Sequence, residues 1–142
     1  MEGIAMKTKV LLVEDNVPLA LALKIRLSAM GYNLITAENV ASAMSMIANR
    51  KPDLSLIDIN LPDGTGFSLA KQIKNNPNIP EIPVVFISAN GNSDYREKSI
   101  LYSSAPLLEK PFSAAQLIKA LEFTQHTTAL WRDNSVETRR GH

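Results

Sequence analysis

Leu54-Ser55-Leu56-Ile57-Asp58 is an apolar run of branched residues that stops on a carboxylate. It does not alternate between apolar and polar, so one wet face is excluded. A short continuous run of this kind suits a parallel strand covered on both faces. The same design recurs outward in both directions. Val10-Leu11-Leu12-Val13 stops on Glu14, and Val84-Val85-Phe86-Ile87 stops on Ser88. Leu34-Ile35 is a shorter run, and Pro106-Leu107-Leu108 a weaker fifth.

Helical patterns fill the gaps. Val17 to Met30 spaces Leu19, Leu23, Ile25, Leu27 and Met30 as a helix does, with Gly31 as a stop. Ala41 to Ala48, Phe67 to Ile73 and Tyr95 to Tyr102 carry shorter patterns, the last with Ile100 and Leu101. Ser113 caps a fifth pattern with Leu117, Ile118 and Leu121, which is expected to run toward Trp131. Strand then helix, five times over, means an α/β fold: a doubly wound parallel sheet with right-handed crossovers.

Composition narrows the function classes. The 142 residues suffice for one core, and 45% hydrophobic against 20% charged is ordinary for a globular domain. A formal charge of +1 builds no field of one sign, so no nucleic-acid or membrane partner is expected. With no cysteine, disulfides, thiolate metal sites and cysteine nucleophiles are excluded. Residues 1–6 lack the basic and apolar regions of a signal peptide, and no apolar run approaches the roughly 18 residues of a membrane span. The expectation is a cytoplasmic protein: an extension over 1–6, a domain over 7–125, and a helix extension and polar tail over 126–142.

Chemistry is expected where the strands end. In a doubly wound sheet, ligands bind beyond the carboxyl ends of the strands, where strand order reverses. Glu14 and Asp15 end the first strand, Asp58 the third and Ser88 the fourth, while Lys110 follows the fifth. Like charges about 4 Å apart repel by about 4 kcal/mol at an effective dielectric of 20, so such a cluster calls for a cation. Hard oxygens with open positions suit Mg²⁺. Lys110 offers a point charge and Ser88 a hydroxyl to phosphoryl oxygens, which leaves Asp58 as the nucleophile.

Four stretches then resemble a known family. They are Val10-Leu11-Leu12-Val13-Glu14-Asp15-Asn16, Leu56-Ile57-Asp58-Ile59-Asn60-Leu61-Pro62-Asp63-Gly64-Thr65-Gly66, Val84-Val85-Phe86-Ile87-Ser88-Ala89 and Leu108-Glu109-Lys110-Pro111-Phe112. In order and spacing, from about Lys7 to Thr124, the chain resembles a response-regulator receiver domain of two-component signalling. The resemblance implies a flavodoxin-like strand order 2-1-3-4-5 with five helices. It implies Asp58 as phosphoacceptor, with Glu14, Asp15, Asp58 and the Asn60 backbone carbonyl around Mg²⁺. Ser88 is implied as the hydroxyl that turns toward the phosphoryl group and Lys110 as its counter-ion, its bond to Pro111 often cis. The implied partners are a sensor histidine kinase or histidine phosphotransfer protein and a downstream protein target. A homodimer through the fourth and fifth helices stays open.

One departure stands out. The family usually has an aromatic three residues before the lysine, and here that residue is Leu107. Ser103-Ser104-Ala105-Pro106 also replaces a commoner run. The expectation is intact chemistry at Asp58 with an altered relay to the surface. Alternatives are a docking module independent of phosphorylation and a receiver piece of a larger hybrid kinase or regulator. An aspartate-nucleophile phosphatase fits worst, since Asn60 stands where that class has a second acid. Asp63-Gly64 and Gly66 are expected as a turn, with glycine for positive φ. Met44 and Met46 are expected as core filler and helix surface, and His126 as solvent-facing.

Overall fold

The computed structural model describes residues 7–89, 93–103 and 105–125. His126, Trp131, Ser104, the extension and the tail lie outside them. The elements run β1 Lys9–Val13, α1 Val17–Ala29, β2 Asn33–Ala37, α2 Val40–Arg50, β3 Leu54–Asp58, a ribbon of β4 Asn60–Leu61 and β5 Gly64–Thr65, α3 Gly66–Asn75, β6 Val84–Ser88, α4 Ser93–Ile100 and β7 Leu108–Glu109. A fifth helix, α5, covers 114–125. The main sheet has the order β2-β1-β3-β6-β7, every pair parallel. Setting the ribbon aside, this is the expected 2-1-3-4-5.

Successive strand residues point to opposite faces, so the unbroken apolar runs feed two cores. Leu11, Val13, Ile57 and Phe86 meet α2 and α3 through Ala43, Ile47, Leu69 and Ile73. Val10, Leu12, Leu56, Val85 and Ile87 meet α1 and α5 through Leu23, Leu27, Leu117 and Leu121. Met44 and Met46 are both half-buried against the first of these cores.

Local chemistry sets the ends. Asn16 caps α1 by accepting from the Leu19 amide at 3.0 Å, and Asn39 forms a reciprocal capping box with Ser42. Ser113 and Gln116 cap α5 in the same reciprocal way, at 3.1 and 2.8 Å. Gly31, at φ +95°, turns the chain after α1. Lys51 takes the left-handed conformation at the end of α2, with φ 48°.

Several expectations shift. Ile25 is exposed, because Leu23 and Leu27 set the buried face of α1 and Ile25 falls outside it. Ile100 and Leu101 are exposed as well, and among the described side chains of α4 it is Ser99 that is buried. The last strand pairs only over Leu108–Glu109, since Pro106 has no amide hydrogen to give. Gly66 is needed for space rather than for positive φ. A Cβ there would lie 2.6 Å from the Asp58 carbonyl oxygen and 3.0 Å from Ile59 Cα. Among the described glycines, Gly31 alone has positive φ.

Candidate functional site

The site is the carboxyl edge of β1, β3, β6 and β7. Parallel pairing brings the strand ends level: Val13 lies beside Ile57, Asp58 beside Ile87, and Ser88 beside Glu109. Residues remote in sequence therefore arrive at one edge. The Lys110 amide donates to the Ser88 carbonyl at 2.8 Å, which places the lysine just past that edge. Its bond to Pro111 is cis.

Glu14 and Asp58 are buried at 1% and 4% exposure, while Asp15 faces solvent. One carboxylate oxygen from each of the three lies within 4.8 Å of the others. Two anions at that separation repel by about 3 to 4 kcal/mol at an effective dielectric of 20. The Lys110 ammonium answers this by donating to Glu14 Oε1 at 2.6 Å and to Asp58 Oδ2 at 2.7 Å. Asp58 Oδ1 accepts from the Asn60 amide at 2.8 Å, and Glu14 Oε2 from the Asn16 amide at 3.2 Å. Each buried carboxylate thus has both oxygens satisfied.

The crowding shifts the charged groups away from their ordinary ranges. Burial pushes Glu14 up to about 7, against the pull of the Lys110 ammonium, and the neighbouring Asp58 pushes the same way. Lys110 is itself raised: its own partial burial opposes the charge, but the two carboxylates outweigh it.

A divalent cation fits this donor set. Three hard oxygens converge, two on buried strand ends and one open to solvent. Mg²⁺ takes carboxylates while keeping several waters, so a half-open site suits it. Every expected residue is at this edge: Glu14, Asp15, Asp58, Asn60, Ser88 and Lys110. Ser88 is fully buried at the end of β6.

Around the site, other residues make contacts that the sequence pattern does not give. Asp63 accepts from the Val40 and Ala41 amides at 2.7 and 3.1 Å, so the loop after β3 caps α2. Those bonds hold the Asp63 carboxyl below its ordinary range. The Ser103 hydroxyl donates to the Val84 carbonyl and accepts from the Ala105 amide at 3.2 Å, tying the segment after α4 to β6. Tyr95 on α4 reaches the Asn60 side chain, its phenol donating at 3.5 Å. Leu107 is half-buried against the core that holds Phe86. Among the described residues, no helix is long and apolar enough to cross a membrane.

Comparison with known proteins agrees with this geometry. A family model described as the response regulator receiver domain matches residues 10–122. The phosphate regulon transcriptional regulatory protein PhoB of Pseudomonas aeruginosa is 32% identical over 113 residues, covering 80% of this chain and 49% of that protein. Its Escherichia coli counterpart is 30% identical over 117 residues, covering 82% and 51%. The chain thus spans about half the length of the curated relatives it matches. NtrX from Brucella abortus superposes with a TM-score of 0.82 at 34% identity, covering 96% of this chain and 30% of that one.

Proposed function

The chain belongs to the response regulator receiver domain family of two-component signalling, and from that membership we propose that Asp58 is its phosphoacceptor. The carrying observation is the Lys110 ammonium held between the buried Glu14 and Asp58 carboxylates at 2.6 and 2.7 Å. An Asp58 oxygen attacks the phosphorus of a phosphohistidine on a sensor kinase or phosphotransfer protein. The P–N bond breaks, the imidazole leaves with its electron pair, and an acyl phosphate remains on Asp58. Lys110 pairs with a phosphoryl oxygen, and the Ser88 hydroxyl donates to another. Positioning and charge neutralisation suffice, because the transition state of phosphoryl transfer is loose. Glu14, Asp15, Asp58 and the Asn60 backbone carbonyl are the residues that would hold Mg²⁺. When bound, that ion supplies charge that offsets the carboxylates and the incoming phosphoryl oxygens.

Residues 7–125 form the receiver in this reading, a cytoplasmic module switched by phosphorylation. Its output is a protein contact through α4, β7 and α5, either a downstream target or a second copy. It assists its own phosphorylation and dephosphorylation and turns over no other substrate. A receiver fragment of a longer regulator is equally compatible, given the relatives' length.

Incubation with Mg²⁺ and acetyl phosphate tests the proposal, with intact mass as readout. One acid-labile phosphoryl adduct is expected on the wild type and none on Asp58→Asn. A wild type that binds Mg²⁺ yet forms no adduct points to a phosphorylation-independent docking module instead.

A further inference from the structure

Asn60 has three tasks in one residue. Its amide donates to Asp58 Oδ1 at 2.8 Å, its carbonyl is the proposed backbone ligand, and its exposed side chain accepts from the Tyr95 phenol at 3.5 Å. Tyr95 also continues inward. Its ring meets Phe67 edge-on with centroids 5.9 Å apart, and Phe67 meets Phe86 at 4.9 Å. Phe86 is fully buried on β6, two residues before Ser88. The Lys98 ammonium lies 5.9 Å from the Phe67 ring centre, so α4 touches this aromatic column twice. The column thus runs from the rim of the site, through α4 and α3, to the strand that carries Ser88.

We propose that Tyr95 is a positioning residue that acts through Asn60, its phenol holding the Asn60 side chain in the metal-free geometry and so linking α4 to the cation site. This rests on the receiver reading above. On this proposal the Asn60 carbonyl joins the carboxylates only by a shift of the loop after Asp58, which a side chain tied to α4 resists. Linkage is reciprocal, so cation entry loosens Tyr95 from Asn60 and frees α4 to move. Leu107 is no aromatic on the β7 side, whereas Tyr95 touches the loop after Asp58 from α4.

The test is Mg²⁺ titration followed by the Asp58 amide resonance, on wild type, Tyr95→Phe, Asn60→Ala and the double variant. Tyr95→Phe keeps the ring contact with Phe67 and removes only the hydroxyl. It is expected to bind Mg²⁺ about two- to fivefold more tightly, the weight of one modest hydrogen bond. In the Asn60→Ala background the same change is expected to do nothing, because the double cycle isolates the pair. Ring-labelled tyrosine spectra, assigned with Tyr95→Phe, should show the Tyr95 signal moving on Mg²⁺ addition while Tyr32 stays still. Unchanged or weaker binding by Tyr95→Phe, or an equal gain without the Asn60 side chain, overturns the proposal. Acetyl phosphate labelling of the wild type, run in parallel, reports separately on whether Asp58 is the phosphoacceptor.

Discussion

Replacing Glu14 by glutamine should stabilise the protein at high pH and lose that advantage at low pH. Glu14 is 1% exposed, and burial raises it from 4.5 to about 7. The folded protein thus holds this proton where the unfolded chain has released it. For an acid raised in this way, stability is fully present below about 4.5 and is lost as pH climbs through 7. The full shift corresponds to about 3 kcal/mol, of which roughly 2 to 3 is lost between about pH 5 and pH 8. Glutamine has nothing to ionise, yet it still accepts from Lys110. Urea unfolding in chelator should therefore show the midpoint gap between Glu14→Gln and wild type widening by about 1 to 2 M across that range. Groups common to both proteins cancel in the difference. Saturating Mg²⁺ should shrink the gap, because the ion stabilises the ionised wild type and favours the variant less. A gap that is flat with pH, or a variant less stable than wild type at about pH 8, would refute the view that the site is held against its own charge.

Other outcomes follow from the same geometry. Apparent Mg²⁺ affinity should rise about tenfold from about pH 6 to pH 8, since a ligand titrating at about 7 must give up its proton; isothermal titration measures it, and a flat profile removes Glu14 from the ligand set. Gly66→Ala should cost about 2 to 4 kcal/mol in urea unfolding and slow adduct formation, because its Cβ meets the Asp58 carbonyl oxygen at 2.6 Å; Gly64→Ala, 3.3 Å from the Val40 side chain, should stay within about 1 kcal/mol. Lys51→Gly should gain about 0.5 to 1 kcal/mol by relieving a left-handed backbone, with Mg²⁺ affinity unchanged. With beryllofluoride as phosphoryl mimic, amide exchange over 93–108 should change less in wild type than in Leu107→Tyr; family-sized changes in the wild type would show that Leu107 is no handicap.

Much of the fold is legible along the chain. Unbroken apolar runs ending on Glu14, Asp58 and Ser88 mark strands buried on both faces, because a strand with one wet face would alternate. The site residues are legible too, since the register of a parallel sheet brings every strand's carboxyl end to one edge. Helix faces are less legible. Ile25, Ile100 and Leu101 have apolar side chains at positions that tertiary packing leaves exposed. A pattern reports polarity, whereas burial depends on which neighbour arrives.

The sequence by itself determines the acidic set around Asp58, because residue type and strand-end position are local properties. Tertiary structure decides what those residues feel. Glu14 is raised only because the folded sheet buries it beside Asp58, against the pull of Lys110, 96 residues away in the chain. Gly66 matters because the backbone of β3 passes too close for a Cβ, a steric fact that turn chemistry does not reveal. Asp63 capping α2 and Tyr95 reaching Asn60 are meetings between elements that share no pattern. Such contacts depend on distances through space, and a linear order of side chains carries no measure of those until the chain has folded.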